Sequence, residues 1–280
     1  MANNITLRKE MVTILDEVFK NASLTSVLDT NTDLVRAGAN AKEIMIPKIG
    51  MDGLADYNRN TGYADGNVTL EYETKTFAYD RGRKFVVDRL DNEESGDLAF
   101  GRLAGEFIRT RVVPEVDAYR ICTYAKKAGK AKVETLTTGK QVVTALREAT
   151  NAMDEAEVPQ EGRILFITPS IISMVEDMDT TASREVLGRF SQIIRVPQSR
   201  MNMNVQLTAN GFTVESGNEI NFLAVVPQAV LQIPKHAIPK VKMADDNIDM
   251  DADVYTYRTY QMAETLDNKT AGIYVSKVKA

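Results

Sequence analysis

One long helical stretch limits the possible folds of this chain more than any other feature. Residues 95–129, SGDLAFGRLAGEFIRTRVVPEVDAYRICTYAKKAG, carry apolar side chains at helical spacing. The apolar side is formed by Leu98, Leu103, Phe107, Val112, Val116, Tyr119 and Ile121, and the expected solvent side by Arg102, Glu106, Arg109, Asp117 and Arg120. Because Pro114 lacks a backbone donor, we expect a kink there or two abutting helices. At about 1.5 Å per residue the stretch spans roughly 50 Å, which is typical of a flat or elongated molecule.

The charge and the single cysteine argue against several classes of protein. A net charge of -5 over 280 residues does not suit a protein that coats nucleic acid, since counterion release requires a basic surface. Cys122 cannot form an intrachain disulfide, which fits a reducing compartment, and its position on the long helix predicts a small buried hydrophobe. No apolar run approaches about 18 residues, so we expect no membrane contact and folding in a cytoplasm.

The N-terminal residues predict an arm rather than a domain. Residues 6–20 read as a short amphipathic helix, and residues 21–40 are polar with only short apolar pieces. The apolar side of the helix consists of Met11, Ile14, Leu15, Val18 and Phe19. Such an arm buries little by itself, so we expect it to lie along its own body or along a neighbouring copy.

A two-stranded ribbon is predicted next. EIMIPKIG at residues 43–50 indicates a short strand, and residues 51–67 are rich in glycine, asparagine and aspartate, which indicates a loop. Residues 68–79 alternate with period two, Asp80-Arg81-Gly82 reads as a turn, and residues 83–88 read as the return strand. An isolated ribbon is marginal in water, so another surface must brace it, or it is an ordinary hairpin of a larger sheet.

The second half alternates helices and strands, which indicates the α+β class. Helices are predicted at residues 139–157 and 168–178 around a buried strand at 163–167, with partial helix at 179–190 and a strand at 193–196. Residues 201–214 read as irregular. Strands are predicted at 220–226 and 229–233, with Pro227, Pro234 and Pro239 breaking the segments, then at 254–263, and residues 272–278 close a terminal hairpin.

The sequence offers little for catalysis, so we predict no enzyme, no cofactor and no metal. His236 is the only histidine, and a structural loop role suits it better than a general base. Nucleophile-elbow, CxxC, Walker A and GxGxxG motifs do not occur. The acidic residues 244–253 start like a calcium loop but have Met250 where glycine is needed, so they indicate a solvated face or a cation held between subunits.

The basic residues Arg81, Arg83, Lys84 and Arg89 are interleaved with Asp80 and Asp88. Salt bridges to a neighbouring subunit fit this mixture better than phosphate binding does. Projecting elements that cannot bury themselves are typical of subunits that interlock with copies of themselves. The predicted subunit interface consists of Met11, Leu15, Phe19, Tyr72, Glu73, Lys75, Arg81, Arg83, Lys84 and Asp88.

The order of these segments resembles the major capsid proteins of tailed bacteriophages, of the Hong Kong 97 type. The order is the arm, the EIMIPKIG strand, the ribbon DYNRNTGYADGNVTLEYETKTFAYDRGRKFVVD, the link DNEES, the long helix with VVPEVDAYR and later GRILFITPSIISMVEDM. The ribbon and the helix sequence VPEVDAYR are its most specific parts. The resemblance implies an α+β capsid fold with five segments. These are an N-terminal arm (1–42), a peripheral-domain strand and extended hairpin loop (43–94, with the loop at 68–88), a spine helix of the peripheral domain (95–135), a compact axial domain (136–240) and returning C-terminal strands (241–280).

The resemblance also implies a function. It implies a shell of hexamers and pentamers that encloses double-stranded DNA with weak, non-specific contact, built with a separate scaffolding protein and a portal. Such a protein would assemble in the host bacterial cytoplasm and reside in the virion capsid. An encapsulin-like compartment shell is the alternative within the same fold, and a soluble enzyme with carboxylates at Asp245, Asp249 and Asp251 is the alternative from another class.

Overall fold

The computed structural model describes residues 23–30, 36–37, 42–57, 59–60, 62–90, 98–248 and 250–278. The predicted arm helix, with Met11, Leu15 and Phe19, and the acidic residue Asp249 lie outside the described residues. The chain forms two compact units, one of Met1–Thr30 with Tyr79–Ala280 and one of Asn31–Ala78. The five-segment division of the chain stays a prediction.

The smaller unit is a three-stranded antiparallel sheet in the order β1-β2-β3, formed by Arg36–Ala37 (β1), Glu43–Met51 (β2) and Val68–Thr76 (β3). Strands β2 and β3 pair along their full length, from Glu43 opposite Thr76 to Met51 opposite Val68. The polar residues 52–67 connect them. We keep the name ribbon for β2, β3 and this connecting loop, which take the place of the hairpin predicted at residues 68–88.

This pairing corrects the predicted hairpin at residues 68–88. Tyr79–Asp88 (β4) does not pair with β3 but with Ala252–Thr265 (β12) in the larger unit. The predicted turn residues therefore lie inside a strand. Gly82 is small because the strands approach closely there, since a Cβ would lie 2.9 Å from the Tyr257 carbonyl oxygen. Period-two alternation identifies a strand but not its partner, which explains the error.

The larger unit contains a second three-stranded antiparallel sheet, in the order β11-β12-β4, with Val230–Lys242 as β11. Pro234 and Pro239 were expected to break this segment, but both lie inside β11. Because β11 is an edge strand, a residue without an N–H is tolerated, and the register shifts between Pro234 and His236. His236 is therefore an exposed strand residue rather than a loop residue.

The predicted long helix is present as Leu98–Phe107 (α1), a π-helical turn at Ile108–Val112 and Val113–Lys126 (α2). The interruption that Pro114 predicts takes the form of this π turn, which ends at Val112 and admits the proline ring. The helix packs on the β11-β12-β4 sheet through Ile108, Val112 and Val116 against Tyr255 and Tyr257.

Two residues predicted on the solvent side of the helix are buried. Asp117 is fully inaccessible and Arg120 is 2 % exposed. The segment 23–30 covers both through direct hydrogen bonds. Cys122 is buried, as predicted, and its Sγ donates a 3.2 Å hydrogen bond to the Met203 carbonyl oxygen.

The core of the larger unit is a five-stranded mixed sheet between two helical layers. Its order is β5-β13-β10-β6-β7, from Lys130–Val133 (β5), Ile273–Lys277 (β13), Ile220–Val225 (β10), Ile164–Ile167 (β6) and Gln192–Arg195 (β7). Gly139–Glu155 (α3), Pro169–Glu176 (α4) and Thr181–Leu187 (α5) cover one face and α2 covers the other. Every residue of β6 and β10 is buried because both faces are covered.

Most other elements of the second half of the chain agree with the prediction, but residues 201–214 and 272–278 do not. The residues predicted as irregular form a hairpin of Val205–Thr208 (β8) and Gly211–Val214 (β9). The final strand β13 pairs with β10 and β5, not with β12, so there is no terminal hairpin among the described residues. The 3₁₀ turn Asp267–Gly272 carries the chain from one sheet to the other. No helix within the described ranges is long and apolar enough to cross a bilayer.

Candidate assembly surfaces

One face of the ribbon is apolar and open to solvent. The β2-β3 register places Ile49 opposite Leu70 and Met51 opposite Val68, and because side chains alternate along a strand, these four share one face. They are 59 %, 55 %, 73 % and 74 % exposed, in that order. Tyr72 extends the same face and is also exposed. A contiguous apolar surface of this kind is typical of an interaction site, and the interface role of this face stays a prediction.

The opposite face of the ribbon carries the charged side chains of the two strands together with Ile44 and Ile46. Lys48 lies opposite Glu71, and Glu73 forms an ion pair with Lys75 on the same strand. Of the ribbon residues that the sequence assigned to an interface, Tyr72 is therefore on the apolar face, and Glu73 and Lys75 are on the charged face. Their interface role stays a prediction.

The loop at the end of the ribbon also exposes large apolar side chains. Leu54 is fully exposed, and Tyr57 and Tyr63 form an edge-on ring pair with centroids 4.9 Å apart. The base of the loop is closed by Asp52, whose carboxylate accepts a 2.8 Å hydrogen bond from the Asn67 amide. The glycine, asparagine and aspartate residues of this stretch predict a loop, but they do not reveal that its aromatic side chains pair on the surface.

Strand β4 is fixed to α2 by a buried carboxylate. Glu115 Oε1 accepts a 2.7 Å hydrogen bond from the Tyr79 hydroxyl and lies 2.6 Å from Arg81 Nε. Burial and the neighbouring Glu115 carboxylate together raise the pKa of Tyr79 well above its usual range. Arg81 also donates to the carbonyl oxygens of Thr208 (2.7 Å) and Gly211 (3.2 Å), so it holds the β8-β9 turn.

The other members of the predicted basic cluster have different surroundings. Arg83 donates to the Ala209 carbonyl oxygen at 2.9 Å and to Asn210 Oδ1 at 3.2 Å. Lys84 is exposed on β4. Asp88 Oδ1 accepts a 2.9 Å hydrogen bond from the Leu90 amide.

Two residues of the predicted salt bridges to a neighbouring subunit have partners within their own chain. Arg81 pairs within its own chain, with Glu115, and Asp80 forms a bidentate pair with Arg258 at 2.6 and 2.8 Å. Proximity in sequence could not reveal either partner. The interface role of Arg81, Arg83, Lys84 and Asp88 stays a prediction.

A cavity of about 740 Å³ is lined by α1, the π turn and the start of α2 together with β4, β12 and the β8-β9 turn. Phe85, Phe107 and Tyr257 form its apolar wall, and Arg83 and Arg111 lie at its polar part. The Phe85 and Phe107 rings meet edge to face with centroids 4.8 Å apart. The lining of the cavity thus combines aromatic side chains with charged ones.

The acidic loop is held by protein groups. Arg89 lies 3.1 Å from Asp245 and 3.7 Å from Asp251, and Asp253 accepts a 2.8 Å hydrogen bond from the Ala244 amide. Within the described part of the chain, no group of three or more His, Cys, Asp or Glu side chains is placed to hold a metal ion. The repeated aspartates are thus used to order the connection between β11 and β12.

Comparison with known proteins identifies the fold. No protein-family model and no curated protein sequence matches the chain. Among solved structures, the mature capsid of bacteriophage PhiM1 is similar with a TM-score of 0.65 and 11 % identity, over 86 % of this chain and 83 % of that one. The capsid structure of the cyanophage P-SCSP1u gives a TM-score of 0.61 and 14 % identity, over 90 % and 86 % of the two chains.

A third solved structure extends the comparison beyond phages. The virus-like particle from Pyrococcus furiosus is similar with a TM-score of 0.57 and 14 % identity, over 96 % of this chain and 99 % of that chain. The similarity in each case extends over most of both chains, although the sequences have diverged. The chain therefore has the Hong Kong 97-like capsid fold.

Proposed function

We propose that this protein is the major capsid protein of a tailed phage, and that it assembles through hexamers and pentamers into an icosahedral shell around double-stranded DNA. The observation that carries the proposal is the exposed apolar face of the ribbon on a chain with a capsid fold. Burying that face against another copy removes apolar surface from water, which stabilises association by about 25 cal/mol per Å² before the costs of ordering.

The proposed role is structural, and its partners follow from that role. The subunit binds copies of itself, a separate scaffolding protein and a portal, and it contacts DNA weakly because its net charge is -5. It assembles in the host bacterial cytoplasm and stays in the virion capsid. No catalytic step is assigned to it.

Electron microscopy and light scattering of the purified full-length protein test this proposal. We expect uniform closed particles tens of nanometres across, either spontaneously or with a co-expressed scaffolding protein. A monodisperse monomer under both conditions, at the concentrations where capsid proteins assemble, would contradict it.

The second candidate is an encapsulin-like compartment shell, which the similarity to the Pyrococcus furiosus particle favours. The two functions differ in what the particle contains. Nuclease-protected double-stranded DNA inside particles isolated from the native source supports the phage capsid, whereas a co-purifying protein cargo without DNA supports the compartment.

A further inference from the structure

A buried polar network joins residues 23–30, which we call the strap, to the body of the larger unit. Asp117 is fully buried on α2 and accepts four hydrogen bonds from the strap. The donors are Ser23 Oγ at 2.9 Å, the Leu24 amide at 3.1 Å, and the Thr25 hydroxyl and amide at 2.8 and 3.3 Å. Arg200 adds a charge-assisted bond at 3.2 Å.

Thr25 also accepts a hydrogen bond from Arg120, the second buried charge of α2. Arg120 is 2 % exposed and donates to Thr25 Oγ1 at 3.0 Å, while the Thr25 hydroxyl donates to Asp117. The second terminal nitrogen of Arg120 donates to Gln261 Oε1 on β12 at 2.5 Å. One strap hydroxyl therefore links the two buried charges of α2.

The other end of the strap is bound to the edge strand β11. Gln232 is fully buried, and its side-chain amide donates to the Thr25 carbonyl oxygen at 2.8 Å and to Asp29 Oδ1 at 2.6 Å. The Thr30 amide donates to the Gln232 carbonyl oxygen at 2.9 Å, and the Gln232 amide donates back to Thr30 Oγ1 at 3.0 Å. Between these anchors, the Leu28 side chain is buried in the core.

The cost of removing the strap follows from these contacts. Asp117 would keep only Arg200, and Arg120 would keep only Gln261, among the partners described. With the strap removed, water would reach both charges and would have to supply the hydrogen bonds that the strap now makes, and the burial of Leu28 would be lost as well. The strap therefore completes the polar surroundings of α2.

We propose that α2, β11 and β12 form a docking groove for the strap of the same subunit, and that the strap stays in this groove when the subunit assembles. The strap is held at both ends, because Ser23 is bonded to Asp117 and Thr30 is bonded to Gln232 of β11. The statement about assembled subunits rests on the proposed function, whereas the statement about the isolated subunit does not.

Hydrogen exchange of the full-length protein tests the docking. We expect the amides of Leu24, Thr25 and Thr30 to exchange as slowly as those of the central strand β6, before and after assembly. Exchange as fast as in the exposed loop residues 54–57 would overturn the proposal. Slow exchange in a protein that forms no particles would leave the docking groove valid and would contradict only the proposed function.

A matched pair of variants separates the network from a general loss of charge. Asp117→Asn replaces one acceptor oxygen with a donor, so exchange at Leu24 and Thr25 should accelerate on the order of tenfold or more. Asp177→Asn removes an exposed carboxylate that follows α4 and should leave that exchange unchanged. Equal exchange in both variants would overturn the role of Asp117.

Cross-linking decides whether the strap docks on its own subunit. Asp29 and Gln232 side chains are in direct contact, so a short bifunctional thiol cross-linker should join Asp29→Cys to Gln232→Cys within one chain. We expect denatured cross-linked particles to migrate as monomers that have lost both introduced thiols. Linked dimers and larger ladders, absent from each single variant, would show a strap exchanged between copies and would overturn the proposal.

Discussion

The Tyr79 hydroxyl donates a 2.7 Å hydrogen bond to Glu115 Oε1, and this contact joins the first residue of β4 to the first turn of α2. Glu115 is 7 % exposed and Tyr79 is 2 % exposed, so the bond is shielded from water. Because Arg81 pairs with the same carboxylate and also holds the β8-β9 turn, one buried acid connects three elements of the larger unit.

The first prediction concerns this buried acid. Glu115→Gln removes the charge opposite Arg81 and one acceptor oxygen, so the free energy of unfolding should fall by about 1–3 kcal/mol. Arg81 is partly exposed, and solvent screening reduces the charge contribution accordingly. Urea unfolding measures the change. The control is Glu106→Gln, which removes an exposed carboxylate paired with Arg109 and should change stability by less than about 0.5 kcal/mol.

The second prediction concerns alkaline pH. Burial raises the pKa of Tyr79, Tyr124 and Tyr255 in the folded protein above the value of about 10 found in unfolded chains. Unfolding therefore releases protons above about pH 10, so the stabilisation is complete below that pH and is lost progressively as the pH rises above it towards the pKa of the folded protein. Each such tyrosine should lower the free energy of unfolding by about 1.4 kcal/mol per pH unit there.

Tyr255→Phe isolates one of these contributions. The Tyr255 hydroxyl is buried and has no hydrogen-bond partner among the residues described, so its removal should leave stability at neutral pH unchanged or slightly higher. Chemical denaturation at several pH values should give a shallower alkaline decline for the variant. An unchanged slope would contradict the assignment.

The third prediction concerns the two faces of the ribbon. Leu70→Ser reduces the exposed apolar face and should lower particle yield severely, while the melting temperature of the unassembled subunit stays the same because Leu70 is already 55 % exposed. The adjacent Glu71→Ser changes the opposite, charged face and should reduce assembly much less. Particle yield by sedimentation and thermal unfolding are the two measurements. Equal losses of yield in both variants would argue against the apolar face as the contact.

The fourth prediction compares two glycines. At Gly139, the first residue of α3, a Cβ would lie 2.1 Å from the Met174 carbonyl oxygen, so Gly139→Ala should force α3 and α4 apart and destabilise the subunit by about 1–3 kcal/mol. At Gly105, inside α1, a Cβ would meet nothing within 4 Å. Gly105→Ala should therefore stabilise the subunit by up to about 1 kcal/mol through helix propensity. Thermal unfolding measures both.

The sequence by itself determined most of the local elements of this protein. The apolar period of residues 98–126 and of α3 specifies helices, and the apolar run 222–225 of β10 specifies a strand covered on both faces. The resemblance in the order of segments also gave the fold class, which the solved structures confirm.

Only the tertiary structure decided which elements meet. The alternation of β3 is the same whether its partner is β2 or β4, and the choice rests on contacts between residues far apart in the chain. Asp117 and Arg120 read as solvent-facing because their helical positions are polar, yet the strap supplies the hydrogen bonds that allow both charges to be buried. Local patterns report what a segment prefers, whereas strand pairing and the burial of charge depend on a partner that the pattern does not contain.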